Sequence, residues 1–223
     1  MIKTNWELDT SSLKKQRIFG DALPKDIFDW LKIKCFEAKE NKNDTSNIVK
    51  NYSLKFVLFK EHDASVSTNI PPTRYLKNDD TYFKLQTWLS DQCFNPTLNM
   101  FHAGHFILSE DRPLKISVMW VNFQKKYEFN PPHSHGGIFS FIIFVKIPYK
   151  LENEMNVASK LYFQTQAPTH LHGSGITTTH LNVDESFEGK ILIFPSQLTH
   201  GVHPFYTSDD YRITISGNLV FDV

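Results

Sequence analysis

Three histidines and one arginine carry the chemistry this chain offers. His133 and His135 stand two positions apart in "NPPHSHGG". Side chains at that spacing on an extended backbone project to one side, so both imidazoles can converge on a single ion at ~2.0 to 2.2 Å. His200 follows an apolar stretch and a proline break in "GKILIFPSQLTHGVHPF", where a sheet could return it to the first pair. Three imidazoles from two strands would occupy one face of an octahedral ion and leave the other to substrate and dioxygen. Twelve residues on, Arg212 and Thr214 alternate onto one side of "YRITISGN". A buried arginine beside a hydroxyl can grip a carboxylate through two parallel hydrogen bonds, with the hydroxyl as an extra donor.

These residues need a scaffold of strands. From about residue 100 the sequence reads "LKISVMWVNF" (114–123), "IFSFIIFVKIP" (138–148), "SKLYFQTQ" (159–166), "GITTTHLNV" (175–183), "GKILIFP" (189–195) and "YRITISGNLVF" (211–221), divided by Gly, Pro and Asn turns. Strands so closely spaced, with few helices between them, predict an antiparallel sandwich or barrel. Two earlier segments carry a helical period. In 23–40 the apolar face is Ile27, Trp30, Leu31 and Cys35; in 79–94 the residues available to pack are Phe83, Leu85, Trp88, Leu89 and Phe94, after capping candidates Asp79, Asp80 and Thr81. The polar, asparagine-rich 39–53 reads as a loop. The N-terminal helices are expected to cover one outer face of the sheet, giving one domain over 1–223: an N-terminal helical and strand elaboration (1–99) on a β core (100–223).

Charge excludes some classes of partner. Lys plus Arg equals Asp plus Glu at 24 each, without a block of like charge, so no nucleic-acid tract is expected. No apolar run is long enough to span a bilayer and the first residues lack a secretory pattern, so a cytoplasmic location is expected, the host cytoplasm if the chain is viral. Two cysteines, Cys35 and Cys93, make no disulfide framework and read as reduced and buried.

The order "NPPHSHGG…SFIIFVKIP", "FPSQLTHGVHPF", "RITISGN" resembles the Fe(II)/2-oxoglutarate dioxygenase superfamily, specifically the prolyl-hydroxylase-like oxygenases of marine T4-like phages and some bacteria. The resemblance covers about residues 112–221. It implies a double-stranded β-helix, or jelly roll, in which His133, His135 and His200 hold Fe(II) and Arg212 with Thr214 holds the distal carboxylate of 2-oxoglutarate. Trp120 and Asn122 resemble the family's W-x-N approach; Asn122 is expected to line the co-substrate or substrate pocket, whereas Trp120 reads first as a core residue and only second as pocket wall. The activity implied is hydroxylation with dioxygen, in which 2-oxoglutarate becomes succinate and CO₂. The substrate is a small molecule or a peptidyl side chain, by analogy a prolyl or similar one.

The sequence departs from the superfamily at position 135, where most members carry Asp or Glu. An imidazole there raises the charge of the iron centre by one and should weaken ferrous binding. An acid from elsewhere, Asp184 or Glu185, is the alternative ligand. Two rival functions use the same chain. A cupin-like three-histidine metalloenzyme would use the same histidines, although Phe139 and Ser140 stand where a cupin wants a glutamate. A catalytically inactive jelly-roll binding or virion-associated protein would keep only the shape. Of the remaining histidines, His170, His172 and His180 form a weak second metal candidate, His102 and His105 read as structural, and His203 as a surface or supporting group. Asn218 is placed by period two on the face of Arg212, and Tyr162 and Phe163 are expected as pocket wall.

Overall fold

The computed structural model describes residues 18–40, 54–60, 79–94, 113–169 and 173–222. Its ten strands are β1 (Phe19–Ala22), β2 (Leu54–Lys60), β3 (Leu114–Gln124), β4 (Asn130–His133), β5 (Phe139–Lys146), β6 (Leu161–Thr169), β7 (Gly173–Leu181), β8 (Lys190–Pro195), β9 (Thr199–Val202) and β10 (Arg212–Phe221). The two helices are α1 (Lys25–Glu40) and α2 (Asp80–Phe94). The strands form a six-stranded sheet, β1-β8-β5-β10-β3-β2, and a four-stranded sheet, β4-β9-β6-β7. Every pairing is antiparallel. The fold is mainly β, as expected, with the helices on one face of the larger sheet.

Strand β5 explains why "FSFIIFVK" is apolar without alternation: it lies inside the larger sheet and both of its faces are covered. Phe139, Phe141, Ile143 and Val145 pack with Ile27, Leu31 and Cys35 of α1 and Leu85, Leu89 and Cys93 of α2. Ile142 and Phe144 face the other way, toward Leu161 and Phe163 of the smaller sheet. The α2 stripe is Tyr82, Leu85, Leu89 and Cys93, and Phe83, expected to pack, is 48% exposed. A period of 3.6 through Leu85 and Leu89 selects residue 82 and leaves residue 83 outside. Asp79 caps α2 by accepting from the Thr81 N–H at 2.9 Å and also accepts from Trp30 Nε1 at 2.7 Å, which ties the two helices together. The Thr81 hydrogen bond, more than the one from Trp30, holds the Asp79 carboxyl below its ordinary range. Both cysteines are free and fully buried, and burial alone pushes the Cys35 thiol up to about 12, so neither offers a thiolate.

One glycine makes room within the larger sheet. At Gly217, in the middle of β10, a Cβ would lie 2.4 Å from Phe141 Cζ and 2.7 Å from the Val118 carbonyl oxygen. Gly217→Ala is therefore expected to cost about 1–3 kcal/mol, as overpacking at a backbone contact does. A denaturation midpoint unchanged from the wild type would contradict this.

Candidate metal centre

The smaller sheet brings the histidines together by register. His133, the last residue of β4, is the cross-strand partner of His200 on β9. His135 lies beyond the strand end, in the turn that leads to β5, and is held there by its N–H donating to the Ser196 carbonyl at 2.9 Å. Gly137 closes that turn at φ 109°, where a Cβ would meet the Leu219 carbonyl oxygen at 2.9 Å, so only glycine fits. Ring centroids are 4.5 Å apart for His133–His200, 4.8 Å for His133–His135 and 5.2 Å for His135–His200. One ligating atom from each of the three lies within 4.8 Å of the others.

The backbone also sets the protonation of two of these rings. His133 Nδ1 is 2.7 Å from the Pro131 carbonyl, and His200 Nδ1 is 2.9 Å from that of Leu198. A carbonyl can only accept, so in the neutral ring Nδ1 carries the proton and Nε2 has the lone pair, the tautomer that a metal ligand needs. The Trp120 ring lies 5.5 Å from that of His135, tilted by 58°, and Phe194 and Phe163 flank His200 at 4.8 and 6.1 Å. The donor set suits a divalent transition ion that accepts imidazole nitrogen, iron included. Among the described residues no carboxylate joins the group. Asp184 instead accepts from the Ser186 N–H in a turn before β8, and Glu185 lies in the same turn.

A cavity that opens to solvent joins this centre to Arg212. Arg212 is 2% exposed, and its Nη1 donates to the Ser159 carbonyl at 3.0 Å. Among the described residues no carboxylate pairs with it. A buried guanidinium with only a carbonyl for company is costly unless an anion arrives to complete it. Thr214 and Ser216 follow Arg212 along the same side of β10 and line the same cavity. Asn122 Nδ2 donates to Thr214 Oγ1 at 3.3 Å and to Ser216 Oγ at 3.2 Å.

Some members of this constellation carry no sequence signal. Ser159, a fully buried non-glycine residue at φ 63°, accepts through its carbonyl from both Arg212 and the Tyr149 hydroxyl, the latter at 3.1 Å. Burial raises the Tyr149 phenol above its ordinary value and the nearby Arg212 opposes that rise, so Tyr149 stays a neutral donor. Ser140 donates its proton to Asn218 Oδ1 at 2.9 Å and accepts from the Ser196 hydroxyl at 3.0 Å, a buried knot beneath the His135 turn. Asn218 thus faces the side expected of it, in a bracing role. Of the expected pocket wall, Phe163 packs into the core beside His200, whereas Tyr162 points to the outer face, because alternation along β6 turns successive residues to opposite sides. His203 also lies on that outer face, near His180. His102, His105, His170 and His172 lie outside the described residues.

Part of this sequence is similar to a known family. Residues 118–218 match the family model described as "Putative 2OG-Fe(II) oxygenase". The segment that holds all three histidines and Arg212 thus has the sequence pattern of 2OG-Fe(II) oxygenases, and iron and 2-oxoglutarate, expected from the sequence, are the metal and co-substrate which that family name carries. The fold agrees along almost the whole chain. A Pseudomonas putida prolyl-4-hydroxylase superposes with TM-score 0.56 at 12% identity, over 93% of this chain and 94% of its own. A Trichoplax adhaerens prolyl hydroxylase, in complex with a hypoxia inducible factor peptide fragment, gives 0.53 at 11% identity, over 95% and 86%. The epimerase SnoN, in complex with Fe³⁺, alpha ketoglutarate and nogalamycin RO, gives 0.54 at 11% identity, over 95% and 84%. At such identities the likeness is one of fold. No curated protein matches the sequence significantly. No helix among the described residues is long and apolar enough to cross a membrane.

Proposed function

We propose that this protein is an Fe(II)- and 2-oxoglutarate-dependent hydroxylase of the prolyl-hydroxylase-like group. His133, His135 and His200 are the metal ligands, Arg212 and Thr214 bind the distal carboxylate of 2-oxoglutarate, and Asn122 orients Thr214. The observation that carries the reading is that one cavity holds three clustered imidazoles and a buried arginine with no carboxylate of its own. The bound iron would supply dioxygen activation coupled to decarboxylation of the co-substrate.

The chain's own share is geometry and proton placement. The Pro131 and Leu198 carbonyls keep the Nε2 lone pairs of His133 and His200 available. Ser159 fixes one edge of the Arg212 guanidinium, leaving its other donors for a carboxylate. Phe194, Ile142, Leu161 and Val202 close the cavity with apolar surface and limit water beside the reacting atoms. Apart from Arg212 and the histidines, no ionisable side chain lines the cavity among the described residues. An uncharged reacting group follows, such as a peptidyl prolyl or similar side chain.

The test is an anaerobic titration of metal-free protein with Fe(II) and then 2-oxoglutarate, read by the visible metal-to-ligand charge-transfer absorption. A band that requires both additions is the expected result. Iron uptake without the band would point to the cupin-like three-histidine enzyme, and no metal uptake would leave a binding protein of jelly-roll shape. In the same titration His135→Asp is expected to bind Fe(II) more tightly than the wild type, because a carboxylate removes one unit of charge from the centre. Weaker binding in that variant would mean that position 135 is not a ligand.

A further inference from the structure

The outer face of the four-stranded sheet carries a second group of ligating side chains. Along β6, Leu161 and Phe163 enter the core and Tyr162 turns outward between His180 on β7 and Gly201 on β9, its two cross-strand partners. Gly201 leaves room for the phenol: a Cβ there would stand 2.3 Å from the Tyr162 hydroxyl oxygen. His203, just past the end of β9, is anchored by its N–H donating to the Lys160 carbonyl at 2.9 Å, and its ring lies 4.6 Å from that of Tyr162. The outcome is that His203 Nε2 and His180 Nε2 sit 3.4 Å apart. Their ring centroids are 5.5 Å apart with planes at 20°, so the two nitrogens are the facing corners of the pair.

We propose that His180 and His203 form a two-histidine site for a divalent transition-metal ion of the Zn(II) class, separate from the His133–His135–His200 centre. Two nitrogens bound to one tetrahedral ion at 2.0–2.1 Å stand about 3.3–3.4 Å from each other, which is the separation found here. A direct hydrogen bond from a ring N–H would favour about 2.9–3.0 Å. Neither ring needs to lose a proton at neutral pH. Burial lowers both histidines below their ordinary value, helped for His203 by His180 and for both by Lys160. The Lys160 charge also opposes a cation, and among the described residues only two protein ligands are present, so this site is the weaker of the two. An ion held there would join β7 to the segment after β9 across β6. It would brace the strand that presents His200, and would stabilise the folded chain by mass action.

The experiment is a calorimetric titration of metal-free full-length protein with Zn(II) at neutral pH, with far-UV circular dichroism to establish that each variant is folded. His180→Ala and His203→Ala are each expected to bind one zinc equivalent fewer than the wild type. Gln164→Ala, on β6 two residues from Tyr162, should bind the wild-type number. His180 is exposed, so its removal leaves the core untouched, and the difference from wild type is read whatever the three-histidine centre binds. If both histidine variants bind as many equivalents as the wild type, the pair is only a contact between imidazoles and the proposal fails.

Discussion

Replacing Arg212 with alanine is expected to raise the KM for 2-oxoglutarate by roughly 30-fold to several thousand-fold, the equivalent of about 2–5 kcal/mol for losing one partner of a buried charged pair. Fe(II) affinity should change little, because His133 and His200 are held on the smaller sheet and His135 by its own turn, whereas the arginine belongs to the larger sheet. Arg212→Lys should fall between the two, since it keeps the charge but loses the planar fork. Thr214→Ala should cost far less, about 1 kcal/mol or five- to tenfold, the worth of one hydroxyl hydrogen bond. Steady-state kinetics across the series, with iron binding measured separately, tests the assignment. Equal losses of iron and 2-oxoglutarate in Arg212→Ala would mean that the arginine supports the fold and not the co-substrate.

Replacing His200 with alanine should abolish the charge-transfer absorption and lower turnover at least about a thousandfold, because two ligands would remain of three and the metal's whole contribution is lost with it. The residue is 4% exposed between Phe194 and Phe163, so truncation also opens a gap and some stability will go with it. His200→Gln fills most of that gap without restoring an imidazole, and it should recover the melting temperature but not the iron. Turnover in the glutamine variant close to that of the wild type would remove His200 from the ligand set.

Four strands of the larger sheet, β3, β5, β8 and β10, were legible because they carry clear apolar patterns, whereas its outer strands β1 and β2 were not read from the sequence. The strands that hold the ligands were harder to read. The β4 sequence is "NPPH", and two prolines argue against a strand, yet β4 is the edge of its sheet, where a missing N–H costs no ladder bond. The β9 sequence "THGV" is too short to show a period, and its glycine is there for the Tyr162 phenol, a neighbour from another strand. His133, His135, His200, Arg212, Thr214 and Asn122 could be chosen beforehand because their residue types announce the chemistry. Ser159 and Tyr149 could not, since a serine carbonyl and a phenol in irregular chain acquire meaning only once Arg212 arrives beside them. The pairing of His180 with His203 is likewise invisible in sequence, being made by β6 lying between them.

The hydrogen bonds from His133 and His200 to carbonyls two residues earlier have a consequence for supply. Each ring is steadied by its own stretch of chain, so the emptied centre need not collapse or refold when its ion departs. Capture of a new ion becomes a matter of encounter and water exchange, quick and reversible. A protein built in this way can stand idle while iron is scarce and resume as soon as the supply returns.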